Sequence, residues 1–215
     1  SLADIARQIA GGAGISLGDS RQASRPYAYL VQHQQNDLEF LVELAAASGL
    51  YLSLQQNRLA LLDLSGQRGP KPVDLAFSSN LLEARLEINA DRAAPSVQAF
   101  GWDAARLELH RAVTRSARSA RNVAASRPLL PGATPVPLLN QAAAYSWQAS
   151  DLAQAEMDNR TASEICLWGR AVGDPELAPG VHVRLSEVEA SLEGTYVVTS
   201  ALHRINTPGE YTTEI

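Results

Sequence analysis

The chain has 215 residues and a formal net charge of −5, with 46% hydrophobic and 19% charged residues. This composition is typical of an ordered globular protein and excludes an intrinsically disordered one. The mild acidic balance argues against a nucleic-acid-binding protein. No apolar run approaches the roughly 20 residues of a membrane span. The single cysteine, Cys166, cannot form an internal disulfide, and its apolar neighbours predict a buried thiol.

The N-terminal segment predicts a helix followed by a loop. Ser1 is a good N-cap with Asp4 three residues on, and apolar residues then follow helical spacing. The glycines from Gly11 to Gly14 predict the end of this helix. Residues 15–25 are polar and predict a loop.

A strand, a second helix and a hairpin are expected next. Residues 27–32 are β-prone and predict a strand. Asn36 or Asp37 caps the helix, and Gly49 ends it. Alternating residues on both sides of Gln56-Asn57-Arg58 predict a β-hairpin. Residues 1–65 therefore predict an α+β subdomain with two helices and a hairpin.

The remainder, residues 72–215, predicts a β-barrel-like domain after a linker at 66–72 (GQRGPKP). Short strands with turn signals between them favour a barrel or a sandwich. They are expected at 82–89, 96–102, 106–113, 165–172, 181–185, 196–203 and 211–215. The predicted fold class is thus α+β, a small α+β subdomain followed by an antiparallel β-barrel-like domain.

An Arg- and Pro-rich excursion interrupts this domain at 114–148. It has no hydrophobic period, and excursions of this length are often functional. Ser150 predicts the cap of a short helix that ends near Arg160.

Catalytic patterns are weak throughout. Gly14 to Gly18 (GISLG) matches the nucleophile elbow of hydrolases, but a helix precedes it where a strand is required. Ser16, Asp174 and His203 follow the chain order of an α/β-hydrolase triad, and nothing in the sequence brings them together. The histidines have no zinc-type spacing. We therefore expect no catalytic residue, no cofactor and no metal site.

One basic cluster stands out, and it contains Arg111, Arg115, Arg118, Arg121 and Arg127. Three interpretations are open: a solvated loop, a contact arm for an acidic neighbouring subunit, or a nucleic-acid site. Arginine suits interface ion pairs, whereas the aromatic residues of a nucleic-acid site are missing. Arg115, Arg118 and Arg121 are the candidate subunit-contact residues.

Two ordered blocks of sequence carry a family resemblance. The first is DIARQIAGGAGI with YAYLVQHQQNDLEFLVELAAASGLYL, which contains Gln32, Asp37, Phe40, Leu41 and Gly49. The second combines GDPELAPGVHVRL, GTYVVTSALHRI and GEYTTEI. Together they resemble the family of phage late control protein D and VgrG, the baseplate hub of contractile tails and injection systems.

The resemblance implies a structural, non-enzymatic spike-base protein, or a fragment of one, that joins the tail tube to the spike. It implies a homotrimer that contacts the tail-tube and spike or tip proteins, with no nucleic acid and no membrane insertion. Such a protein is assembled in the bacterial cytoplasm and becomes part of a virion tail or of an injection apparatus, type VI or extracellular. The family's first barrel would precede Ser1, and its OB-fold and spike would follow Ile215. Because the chain begins directly at a helix cap and stops within strand-like sequence, both ends look cut. The alternatives are a hub-associated cell-wall hydrolase and a toxin- or partner-docking module.

Overall fold

The computed structural model describes residues 1–20, 26–27, 29–66, 71–103, 106–118, 122–123, 125, 128–138, 143–206 and 209–215. The helices are α1 (Leu2–Gly12), α2 (Asp37–Ala47) and α3 (Ser146–Ala162). The strands are β1 (Ser16–Ser20), β2 (Leu50–Gln55), β3 (Arg58–Asp63), β4 (Val73–Ala76), β5 (Leu81–Ile88), β6 (Val97–Asp103), β7 (Glu108–Thr114), β8 (Asn122–Val123), β9 (Val136–Leu138), β10 (Ile165–Val172), β11 (His182–Ser186), β12 (Gly194–Val197), β13 (Leu202–Asn206) and β14 (Glu210–Glu214).

These strands form four open sheets. Sheet A has the order β1-β3-β2, sheet B the order β4-β11-β12-β8, sheet C the order β13-β14-β10-β5 and sheet D the order β7-β6-β9. The α+β fold class is therefore confirmed, although the described strands do not close into a barrel. Three pairings, β1 with β3, β4 with β11 and β6 with β9, are parallel.

The contacts divide the chain into two compact units that alternate along the sequence. The first comprises Ser1–Leu64, Ser96–Ala117 and Pro135–Asn159, and the second comprises Ser65–Pro95, Arg118–Thr134 and Arg160–Ile215. The first unit therefore holds sheets A and D, and the second holds sheets B and C. The sequence-based domains at 1–65 and 72–215 stay a prediction, and most of the predicted linker, residues 67–70, lies outside the described residues.

Local signals form the N-terminal part of the first unit as predicted. The side chain of Asn36 accepts a hydrogen bond from the Glu39 amide at 2.9 Å, while the Glu39 carboxylate accepts one from the Asn36 amide at 2.9 Å. This capping box starts α2. Gln56 and Asn57 both have positive φ, 47° and 60°, as the tight turn between β2 and β3 requires. The core of α1, α2 and sheet A includes Leu2, Leu41 and Leu61.

Two predictions for this part of the chain are wrong. The polar residues Ser16–Ser20 form a strand, β1, because their backbone pairs in parallel with β3, with Ser16 opposite Arg58 and Leu17 opposite Leu59. The described residues of the predicted strand at 27–32 belong to no strand. Instead, Tyr27 and Leu30 pack their side chains against the core of α1, α2 and sheet A.

Helix α3 packs with sheet D in the same unit. Ala149, Leu152, Ala153 and Met157 of α3 are buried with Val97 and Ala99 of β6. The helix begins at Ser146, four residues before the predicted cap. The side-chain oxygen of Gln148 accepts hydrogen bonds from the amides of Ala144 and Tyr145, at 2.8 and 3.1 Å, and so satisfies free donors at this helix end.

The second unit places its core between residues of sheets B and C. Leu75, Leu81, Ala171, Val183 and Leu185 are all buried there. The predicted strand at 82–89 is confirmed as β5, although only Ala84 and Leu86 of its predicted apolar side pack on this core. The register shifts where β5 meets Arg170 and Ala171, so Leu81 takes the inner position and Leu82 is exposed.

The limits of some other strands differ from those predicted. The predicted strand at 196–203 is interrupted, because β12 ends at Val197 and β13 begins at Leu202. These halves join different sheets, B and C. The predicted excursion at 114–148 contains two short strands, β8 and β9, while residues 119–121, 124, 126–127 and 139–142 lie outside the described part.

Candidate interaction surfaces

Ser16 does not lie in a nucleophile elbow. It opens β1, and its hydroxyl donates a hydrogen bond to the Asn57 carbonyl at 3.3 Å. Ser16 belongs to the first compact unit, whereas Asp174 and His203 belong to the second. Across the described ranges, no group of three or more histidine, cysteine or acidic residues could hold a metal ion. Nor does any helix in those ranges have the length and apolarity to cross a membrane.

A group of hydrogen bonds around His203 links the C-terminal strands. The hydroxyls of Tyr211 and Thr213 lie 2.9 and 3.1 Å from Nδ1 of His203, within hydrogen-bond distance. The Asp174 amide donates to Thr213 Oγ1 at 3.2 Å, and the Gly173 amide donates to the Tyr211 carbonyl at 2.8 Å. We call these five residues the His203 cluster. It ties the edge strand β13 and the turn after β10 to β14.

The His203 cluster unites residues from separate parts of the second sequence block. Thr213 is fully buried, whereas His203 is exposed. The hydroxyls and the imidazole satisfy one another, and no nucleophile with a base and an orienting carboxylate emerges from this arrangement. The geometry therefore supports a structural role for these residues.

Sheet C carries an open groove of about 400 Å³ on its outer face. Trp168, Cys166, Leu167, Arg85 and Glu87 line it. The prediction of a buried Cys166 is wrong, because strand alternation points Ile165 and Leu167 inward and turns Cys166 outward. Partial burial and the nearby Glu87 carboxylate raise the pKa of the Cys166 thiol, which keeps it in its unreactive form at neutral pH.

An apolar surface lies on the outer face of sheet D. Trp102 of β6 stands opposite Leu109 of β7, and their exposed fractions are 53% and 66%. Val113 is 39% exposed on the same face. Leu107, in the turn before β7, is 74% exposed and has a left-handed backbone with φ of 56°. Exposed aromatic and aliphatic side chains in such a group are typical of protein-binding surfaces.

The predicted subunit-contact arginines have different surroundings. Arg115 follows β7 and is exposed, and Arg118 is also exposed. Arg121 lies outside the described residues, as does Arg127. Arg111 lies on β7, where its guanidinium donates to Gln98 Oε1 at 3.0 Å. Contact of Arg115, Arg118 and Arg121 with another subunit stays a prediction.

The sequence does not indicate the outer face of sheet D as an interaction surface. It predicted both strands, but apolar residues occur on both faces of β7, since Ala112 packs inward while Leu109 and Val113 point outward. The signal that could have indicated the surface is Trp102, because tryptophan is enriched at protein interfaces.

Three solved structures of tail or virion proteins share the fold. The 43 kDa tail protein of prophage MuSo2 from Shewanella oneidensis is 15% identical with a TM-score of 0.65, and the match covers 100% of this chain and 62% of that chain. The tail protein from Neisseria meningitidis MC58 is 12% identical with a TM-score of 0.72, covering 99% and 65%. A chain of the native gene transfer agent virion is 19% identical with a TM-score of 0.54, covering 99% and 45%.

The chain therefore spans less than two thirds of the length of each of these proteins. At such low identities, the likeness shows a common fold. A family model described as the Alg8 N-terminal domain matches residues 2–207. No curated protein matches the sequence.

Proposed function

The chain belongs to the Alg8 N-terminal domain family, and we propose that it is a structural component of a phage tail or a related injection apparatus, because it has the fold of solved tail proteins. The likeness of fold to two solved tail proteins, one of them from a prophage, over nearly the whole chain carries this proposal. Exposed apolar residues on sheet D support it, because a subunit of an assembly needs surfaces that bind neighbours.

Within such an apparatus, we place the chain in the baseplate hub, where it joins the tail tube to the spike. Three copies would form a closed ring, in which each subunit contacts the next through two different surfaces. The two sequence blocks that resemble hub proteins support this assignment. The second block supplies the His203 cluster, which holds the edge of sheet C in place.

The partners in this role are two further copies of the chain, the tail-tube protein and the spike or tip protein. Assembly takes place in the bacterial cytoplasm, and the finished protein resides in the virion tail or the injection apparatus. The role is geometric, since it requires matched surfaces and no bond-making step.

Removing the coding sequence in a producing strain tests this function. We expect the strain to lose assembled tails, because without the hub the tail tube has nothing to join it to the spike. Negative-stain electron microscopy measures this loss. Supplying the chain from a plasmid should restore them, which controls for effects on neighbouring genes.

Normal tails that contract but fail to breach the cell wall would favour the hydrolase alternative. Normal tails that remain fully active would contradict a structural role altogether.

A further inference from the structure

Strand β7 is an edge strand with one side open. It pairs with β6 along its full length, from Glu108 opposite Asp103 to Thr114 opposite Val97. In the described part of the chain, no strand pairs with its other side. The open side of an edge strand offers free amide and carbonyl groups to another extended segment.

The outward side chains of this edge alternate between apolar and cationic. Leu109, Arg111 and Val113 point to the outer face, and Arg115 continues the series beyond the strand end. Opposite them on β6 lie Trp102, Phe100 and Gln98. Thus the outer face of sheet D presents large apolar groups and two guanidinium groups, and no carboxylate belongs to its described residues.

Neither Arg111 nor Arg115 forms an ion pair with a described residue. Arg111 has a neutral hydrogen-bond partner, Gln98, and no ion pair with Arg115 is present among the described residues. Arg106, near the start of β7, is instead 3.9 Å from the Asp103 carboxylate. The guanidinium groups of Arg111 and Arg115 can therefore form ion pairs with the carboxylates of an acidic partner.

We propose that β7 binds an extended segment of a different protein as an additional strand, and that this segment carries carboxylates four residues apart with an apolar side chain between them. In this register, carboxylates face Arg111 and Arg115, while apolar groups face Leu109 and Val113. The β7 strand of a second copy is a poor occupant, because its outer face brings further arginines and no acid.

The conformation of Leu107 also supports a binding role for this surface. A leucine with φ of 56° is strained, and such strain is often retained at binding sites. It also holds a large apolar side chain in solvent at the start of β7. The inference depends on sheet D alone and does not require that the chain belongs to a tail.

The test uses two synthetic peptides and the full ¹⁵N-labelled chain. One peptide repeats Glu-Thr-Val-Thr and the other repeats Lys-Thr-Val-Thr, so they differ only in charge. We expect the glutamate peptide to shift amide resonances of β7 in nuclear magnetic resonance spectra at millimolar concentration. The double variant Arg111→Glu/Arg115→Glu should weaken that binding by about fivefold or more and should bind the lysine peptide instead.

A matched control is Arg7→Glu, which makes the same type of charge reversal on α1. It should leave both peptide affinities unchanged, while circular dichroism confirms that every variant is folded. The proposal is overturned if the glutamate peptide fails to bind, if the double variant keeps its preference, or if the shifts map to another edge such as β13. The proposal is also overturned if the chain binds neither peptide but self-associates, and if the double variant abolishes that self-association. This result would assign the face to a second copy of the chain.

Discussion

We expect Gly173→Ala to lower the free energy of unfolding of the second unit by about 2–4 kcal/mol, combining steric overpacking with a lost hydrogen bond. A Cβ atom at position 173 would lie 2.0 Å from Cγ of Tyr211 and 2.1 Å from its Cδ1. The Tyr211 ring cannot move away freely, because its hydroxyl is hydrogen-bonded to His203. The backbone of Tyr211 is also held, since its carbonyl accepts a hydrogen bond from the Gly173 amide at 2.8 Å. Chemical denaturation followed by far-ultraviolet circular dichroism measures the change.

Gly169→Ala provides the matched control for this substitution. Position 169 lies on β10, and a Cβ there would meet Ile215 Cγ1 and Leu81 Cδ1 at 3.4 Å, close to ordinary contact. Its cost should be clearly smaller than that of Gly173→Ala. Removing the ring by Tyr211→Ala should make Gly173→Ala nearly neutral, since the two positions then no longer clash. Additive losses in the double variant would show that the clash is not the cause.

The second large effect is expected from Gly101→Ala in β6, again about 2–4 kcal/mol. A Cβ at this position would lie 2.3 Å from the carbonyl oxygen of Ala143 and 2.9 Å from its Cβ. The carbonyl group of Ala143 belongs to the backbone, so it cannot rotate aside as a side chain could. Its displacement would also break the hydrogen bond that the Trp102 amide donates to Ala143 at 3.0 Å. The denaturation midpoint of the first unit should therefore fall.

Gly18→Ala is the control in the same unit. A Cβ at Gly18 on β1 would lie 3.4 Å from the Leu59 carbonyl, so little movement is needed. If Gly18→Ala and Gly101→Ala destabilised the chain equally, the close approach of Ala143 to β6 would not be a determinant of the fold.

Elements with short-range signals were predictable from the sequence. The capping residues Ser1 and Asn36 and the turn at Gln56 and Asn57 depend on neighbours within four residues. Alternation likewise identified β5, because half-buried strands repeat every second residue.

The misassigned elements depend on distant partners. Residues Ser16–Ser20 become a strand only because β3 lies beside them, some 40 positions along the chain. Residues 27–32 have β-prone side chains, yet Tyr27 and Leu30 gain more by packing on helices than by joining a sheet. Such tertiary effects leave no periodic signal in the sequence.

The candidate surfaces show the same division. The family resemblance named Gly173, Asp174, His203, Tyr211 and Thr213 as one block, and the structure brings them together in the His203 cluster. The resemblance could not reveal that β7 is an open edge, because strand order within a sheet follows from long-range pairing. Arg111 likewise indicates a binding surface only once it is known to share a sheet face with Leu109, Val113 and Trp102.

The most direct test of the tail assignment is cryo-electron microscopy of intact particles purified from a producing strain. We predict density that fits the fold at the junction of tube and spike, with three copies around the tail axis. Particles whose tail is complete and whose density contains no copy of this fold would contradict the assignment.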